Sequence, residues 1–304
     1  MEKNKTLIMM STYNGERYLP ELLESIILQS SKCDLIVRDD GSTDNTLSVL
    51  KEYSSKINIK IIKGENKGAR LSFYLLMEDV CNNFMEYDYY AFCDQDDVWK
   101  SNKINVAINK IILSKEQPTL YIGSWTYVDS NLNYLSDHIT NRAFTFNEIL
   151  VKNHIIGCCM VFNNALLKIY ATGIENLTYK NLPFHDHWLY ILCLACGGNV
   201  VADNKSHLLY RQHNNNVVGK RNNLTKIKQI FNSNHIRYLY IDELKRNYYY
   251  FLLDDYKKQI NIILNYNKNI NTKLTAFFLN RLSPPIYSKK LLSNLSFCLT
   301  NFDK

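Results

Sequence analysis

The chain has 304 residues, 46% of them hydrophobic, enough to fill the core of one large α/β domain with an appendage. No stretch approaches the roughly 20 apolar residues that span a bilayer, and the opening "MEKNKTLIMMSTYNG" holds an apolar run too short for a secretory signal, so the expectation is a cytoplasmic protein. The formal charge of +7 is uneven: residues 1–219 hold 21 Lys/Arg against 24 Asp/Glu, whereas residues 220–304 hold 15 against 5, the balance of an anionic-surface or nucleic-acid contact or of a merely solvated basic face.

Up to about residue 127 short strands alternate with helices. "TLIMM" (6–10) reads as a strand, "YLPELLESIILQS" (18–30) as an amphipathic helix, and "DLIV" (34–37) as a second strand followed by a helix over about 43–53. "INIKII" (57–62) is a third strand, "ARLSFYLLMEDV" (69–80) a third helix and "YYAFC" (89–93) a fourth strand, with a further helix opening at Ser101. That alternation predicts an α/β fold, a Rossmann-like and mostly parallel sheet flanked by helices. From 145 to 215 the pattern is less regular: "IIGCCMVF" (155–162) and "SHLLYRQH" (206–213) look like strands, with helices at about 163–171 and 186–196. Beyond 220 the chain reads as helical, with a break at Pro284-Pro285. The expected organisation is a catalytic domain over 1–220 and a basic, helical C-terminal extension over 221–304.

Eight cysteines sit in apolar runs, two of them adjacent at Cys158 and Cys159, as reduced core thiols do, and no disulfide is expected. The one C-x-x-C, Cys193 to Cys196, lies in a helix-like apolar segment without a second ligand pair and reads as packing.

In open parallel sheets, ligands bind at the carboxyl ends of the strands. Here those ends are "STYNGER", "RDDGSTDNT", "KGENKG" and "DQDDVW", every one polar, which describes a polar ligand crevice. Asp94, Asp96 and Asp97 repel one another unless a cation or protons neutralise them. Asp-x-Asp after a strand presents hard oxygen ligands suited to Mg²⁺ or Mn²⁺ with substrate phosphate; taken alone, "DQDD" reads equally as a solvated turn that starts a helix. Asp39 and Asp40 follow an apolar strand, and a carboxylate there accepts hydrogen bonds from a ribose hydroxyl or a base N–H. Lys67 and Arg70 near the third strand end read as surface charge or, as the less favoured alternative, as groups that approach the nucleotide.

"STYNGERYL", "VRDDGSTDNT", "CDQDDVW", "HDHW" and "YRQHNNNVVG", in this order, together resemble the inverting family 2 glycosyltransferases of the GT-A fold, especially rhamnosyltransferase-like members, over roughly residues 5–220. The resemblance implies a nucleotide pocket walled by Thr12, Tyr13 and Glu16, with Asp40 reading the base or ribose. It makes Asp94 a donor-binding acid near the ribose and diphosphate, Asp96 a metal ligand for Mn²⁺ or Mg²⁺, and leaves Asp97 without a role. His213 matches a metal-ligand position near the diphosphate, with Arg211 contacting phosphate, and Asp186 matches the catalytic base that takes the acceptor's proton. His185 and His187 flank that acid, and Trp188 reads as core packing or as a stacking platform for an acceptor sugar.

The function this implies is metal-dependent, inverting sugar transfer, rhamnose first. The donor would be a nucleoside diphosphate sugar, dTDP-rhamnose or a UDP-sugar, and the acceptor a saccharide or lipid-linked saccharide in the synthesis of bacterial lipopolysaccharide or capsule. The basic tail then favours peripheral attachment to an anionic membrane at the inner face of the cytoplasmic membrane, and not nucleic acid. Two other classes fit parts of the sequence. "CDQDDV" also resembles the nucleophile loop of haloacid-dehalogenase-like phosphatases, and a non-catalytic sugar-nucleotide or nucleic-acid binder would use the same loops or the basic tail.

Overall fold

The computed structural model describes residues 4–114, 116–151, 153–213 and 226–265. The expected break at Pro284-Pro285 lies outside them. The chain divides into two compact units: Met1–Ala143, Ile155–Ala171 and Gly198–Gly219 form the first, and Phe144–His154, Thr172–Gly197 and Lys220–Lys304 the second. The second therefore takes in two segments that precede the boundary expected near 220.

In the first unit β1 (Thr6–Thr12), β2 (Cys33–Asp39), β3 (Ile59–Lys63) and β4 (Tyr89–Cys93) are joined by α1 (Leu19–Ile27), α2 (Thr46–Tyr53) and α3 (Ala69–Asn83). β5 (Val98–Trp99), α4 (Lys103–Ile111), β6 (Thr119–Val128), β7 (Tyr134–His138), β8 (Met160–Asn163), α6 (Asn164–Gly173) and β9 (Asn199–Arg211) follow, and the sheet order is β3-β2-β1-β4-β8-β6-β9-β5 with β7 beside β6. The helix between β7 and β8, α5 (Phe146–Val151), belongs to the second unit.

β3, β2, β1 and β4 pair in parallel, as the sequence predicts; β8 runs antiparallel to both β4 and β6, so the sheet is mixed in its second half. Both faces of the parallel half are covered, which is why β1, β2 and β4 are nearly continuous apolar runs. Ile8, Met10, Val37 and Ala91 pack with Leu19, Leu22, Leu23 and Ile26 of α1 and Ile104, Ala107, Ile108 and Ile111 of α4, each helix presenting apolar residues at i, i+3, i+4 and i+7. On α3, Phe73 meets Phe92 edge to face, and Phe92 in turn meets Phe162 of β8.

Three elements differ locally from the sequence expectation. α2 starts at Thr46 and not near residue 43, because Asp39 and Asp44 draw the intervening backbone into turns: Ser42 N–H donates to Asp39, and Thr46 N–H and Oγ1 donate to Asp44. "IIGCC" forms a 3₁₀ turn at Gly157–Cys159, closed by Cys159 N–H on Ile156 O, before β8 begins. β9 is 13 residues long and reaches back to Asn199, since its first half pairs in parallel with β6 before a register shift. All seven cysteines among the described residues are free.

In the second unit α7 (His185–Ala195), α8 (Lys226–Tyr248) and α9 (Asp254–Leu264) accompany α5. Trp188 is fully buried and edge-on to Tyr248, so it packs a core and offers no face to a sugar. No helix among the described residues is long and apolar enough to cross a membrane.

Candidate active site

The strand-end loops of the first unit are sewn into one edge. Thr12 Oγ1 and the Tyr13 N–H both donate to Gln95 Oε1 (2.6 and 2.8 Å), and Gln95 Nε2 returns a bond to Tyr13 O, so the loop after β1 is fixed to "DQDD" after β4. Gly15 is where this approach is tightest: a Cβ there would lie 2.6 Å from Gln95 Oε1. Asn14, with φ of 48°, ties the same loop to the one after β2, through its N–H to Ser42 Oγ and the Thr43 N–H to its side chain. Glu16 accepts the Asn45 N–H just ahead of α2, and Tyr13 keeps its ring 43% exposed.

Asp40 is buried at the end of β2. Its carboxylate accepts the N–H groups of Lys67 and Gly68 (2.8–3.0 Å) and the Arg38 guanidinium, so it shapes the loop after β3. The protein itself occupies the oxygens that the sequence assigns to a base or ribose. Arg38 also donates to Ser72, which meets Ser11 Oγ at 2.6 Å and carries the network back to β1.

Asp96 Oδ2 lies 2.7 Å from His213 Nε2, with both side chains about 15% exposed, so the two expected metal ligands face each other at the rim of the unit. Tyr18 stacks on the His213 ring (centroids 5.0 Å apart) and on the Arg211 guanidinium at 4.6 Å. Arg211 is placed differently from expectation. Its side chain is 1% exposed and donates to Asp96 O, Ser130 O and the Glu21 carboxylate. A guanidinium that donates to three protein oxygens holds the loop that carries Asp96.

Asp94 is partly exposed, whereas Asp97 is fully buried beneath the loop and accepts the Arg211 N–H. Burial first, then the charges of Asp96 and Asp94, push the Asp97 carboxyl well above the usual range. The donor set of Asp96 and His213, one carboxylate and one imidazole on adjoining loops, suits Mn²⁺ and, with more water, Mg²⁺.

Asp186 belongs to the second unit, in the first turn of α7. Its Oδ1 accepts the His187 N–H (2.6 Å), and Asn153 Nδ2 sits 3.4 Å from both carboxylate oxygens. His187 Nε2 lies 2.6 Å from Ile149 O; burial pushes the His185 and His187 imidazoles down to about 3 and about 4, so both are neutral at ordinary pH. Sequence reasoning missed Gln95, Tyr18 and Asn153. Gln95 stood inside the quoted motif, but nothing in its neighbours announces a side chain turned toward Tyr13.

A GT-A-like sheet whose strand ends gather acids, an imidazole and polar loops defines the class: an enzyme built around a polar, phosphate-bearing donor. Comparison with known proteins gives the family. Residues 7–171 match the family model "Glycosyl transferase family 2", and the chain belongs to that family. It is 34% identical over 218 residues to the "dTDP-rhamnosyl transferase RfbG" of Shigella flexneri, covering 69% of this chain and 73% of that one. It is 29% identical over 156 residues to the "UDP-Glc:alpha-D-GlcNAc-diphosphoundecaprenol beta-1,3-glucosyltransferase WfgD" of Escherichia coli, over 51% of this chain and 58% of that one. Among solved structures it is similar to S. aureus TarS 1-349 in complex with UDP-GlcNAc, with a TM-score of 0.61, 16% identity, and coverage of 96% of this chain and 79% of that one. The enzyme is therefore a rhamnosyltransferase-like glycosyltransferase, which sets aside the phosphatase and the non-catalytic binder.

Proposed function

We propose that this enzyme transfers rhamnose, with inversion, from dTDP-rhamnose to a saccharide carried on a lipid diphosphate, in the assembly of a bacterial surface polysaccharide. The observation that carries the reading is the Asp96–His213 pair, held 2.7 Å apart on loops that Gln95 and Arg211 fasten to the β1 and α1 regions. The rhamnose donor is supported by the likeness to the Shigella flexneri transferase, and the lipid-linked acceptor by the name of the Escherichia coli relative.

In this reading Tyr13 lines the nucleotide, with Thr12 and Glu16 holding its loop. Asp40 sets the Lys67–Gly68 backbone against the base and ribose, and Asp94 accepts from donor hydroxyls. Asp96 and His213 hold Mn²⁺ or Mg²⁺, which when bound supplies positive charge to the departing diphosphate. Asp186 takes the proton of the acceptor hydroxyl as its oxygen attacks the anomeric carbon. Transfer to a synthetic diphosphate-linked saccharide, with the product's anomeric configuration read by NMR, tests the proposal. A linkage of anomeric configuration opposite to the donor's supports it; retention, or hydrolysis without transfer to any saccharide, refutes it.

The basic C-terminal region would bring the enzyme to anionic membrane. Flotation of the full chain with anionic vesicles and not with zwitterionic ones is the expected result, and equal behaviour with both removes that part.

A further inference from the structure

Arg211 closes β9 and His213 follows two residues later, the spacing that puts side chains on one side of an extended chain. One ring lies against both. Tyr18 stacks on the His213 imidazole with centroids 5.0 Å apart and planes 29° from parallel, and the Arg211 guanidinium carbon sits 4.6 Å from the centroid of the same ring. Three residues on, Glu21 pairs with that guanidinium, so positions i and i+3 at the start of α1 grip Arg211 by its face and by its edge. Tyr18 is itself anchored as the residue that caps α1: its N–H donates to Gly15 O, and its carbonyl accepts the Leu22 N–H. The His213 ring is thus met on its face by Tyr18 and at Nε2 by Asp96 Oδ2, 2.7 Å away.

We propose, on the reading of Asp96 and His213 as ligands of Mn²⁺ or Mg²⁺, that Tyr18 is a positioning residue for the ion and acts through His213. An imidazole just past a strand end turns about two side-chain torsions, and few of its orientations aim a nitrogen at an ion beside Asp96. A stacked aromatic face removes much of that freedom before the ion arrives, as outer hydrogen-bond partners do for other ligating histidines. The contact is made by the ring, so a phenylalanine serves equally well. Arg211 keeps its bonds to Glu21, Ser130 O and Asp96 O without the ring, whereas His213 loses its face contact. The effect of Tyr18 therefore falls on the imidazole.

The test uses the full-length chain with Mn²⁺ and no donor, so it reads the ion and not turnover. Pulsed EPR of bound Mn²⁺ is expected to show the nitrogen coupling of a coordinated imidazole in the wild type and in Tyr18→Phe, and to lose it in His213→Ala. In Tyr18→Ala the coupling is lost and Mn²⁺ affinity falls by about 10- to 100-fold, the range for removing a group that orients a ligand. Tyr18→Leu, which keeps apolar bulk but offers no ring face, gives the same result where the alanine variant fails to fold. Adding Tyr18→Ala to His213→Ala costs no further affinity, because the ring acts through the imidazole. Wild-type coupling and affinity in Tyr18→Ala, a further loss in the double variant, or an equal loss in Tyr18→Phe overturns the proposal and leaves Asp96 and His213 as ligands. Absence of imidazole coupling in the wild type overturns the ligand reading and the role of Tyr18 together, which separates the two failures.

Discussion

The strand ends of the first unit and the start of α7 in the second surround their acids differently. At the strand ends of the first, each acid is answered by a donor: Asp40 by two backbone amides and Arg38, Asp39 by Ser42, Asp96 by His213. Around Asp186 in the second, the neighbours are imidazoles that burial keeps neutral, and the acid leans on the His187 amide and Asn153. One region concentrates charge that is matched by donors, which on the proposed reading serves a diphosphate donor and its metal. The other sets a carboxylate among uncharged imidazoles and fixes its orientation through the His187 amide, an arrangement that suits a base.

Breaking the Asp186 side has the largest expected effect. Asp186→Asn lowers transfer by about 10²- to 10⁴-fold, the usual contribution of a positioned base, with donor affinity unchanged; wild-type turnover in this variant would remove Asp186 from the mechanism. On the charged side, His213→Ala or Asp96→Asn lowers the Mn²⁺ dependence of donor binding by about 100-fold in calorimetry, since a ligand is lost and not merely its support. If either variant keeps the wild-type metal response, the pair does not hold the ion.

Gln95 probes how the charged loops are held. Gln95→Ala removes three hydrogen bonds between the first and fourth strand-end loops, and a donor KM raised about tenfold is expected with kcat changed less, the scale of one or two lost bonds. A proportionate fall in kcat alone would instead place Gln95 in the chemistry. The smallest effect is on stability. His185 and His187 have folded-state pKa values below the ordinary 6.5, so the unfolded chain takes up protons first. Stability is full above about pH 6.5 and falls as the pH drops toward 4 and then 3, by up to about 1.4 kcal/mol per pH unit for each histidine. Denaturant unfolding at pH 7.5 and 5.5 checks this, and a flat profile contradicts the burial of neutral imidazoles.

The N-terminal half of the fold was legible because its signals are local. A run such as "TLIMM" and a helix with Leu19, Leu22, Leu23 and Ile26 announce themselves by period, and the parallel order follows from alternation. β6, "TLYIGSWTYV", pairs with a strand eighty or more residues away, and no local pattern encodes its partners or the register shift around Ser124. At the site, residue types were readable and side-chain commitments were not. Arg211 looks like a phosphate ligand by charge alone; its true partners are the carbonyls of Asp96 and Ser130 and the Glu21 carboxylate, two of which are backbone atoms invisible to any motif. Asp40 is similar, because the amides it accepts arrive from the loop after β3, nearly thirty residues on. Asp97 was left without a role for the same reason: only the folded chain buries it and brings the Arg211 amide to it.

The central claim, that the strand ends of the first unit hold a nucleoside diphosphate sugar with a divalent ion, is tested most directly by calorimetric binding of dTDP-, UDP- and GDP-sugars with and without Mn²⁺ or Mg²⁺. The account predicts that dTDP-rhamnose binds, that binding needs the metal, and that Asp96→Ala abolishes it. Failure of every donor to bind, with metal or without, would contradict it.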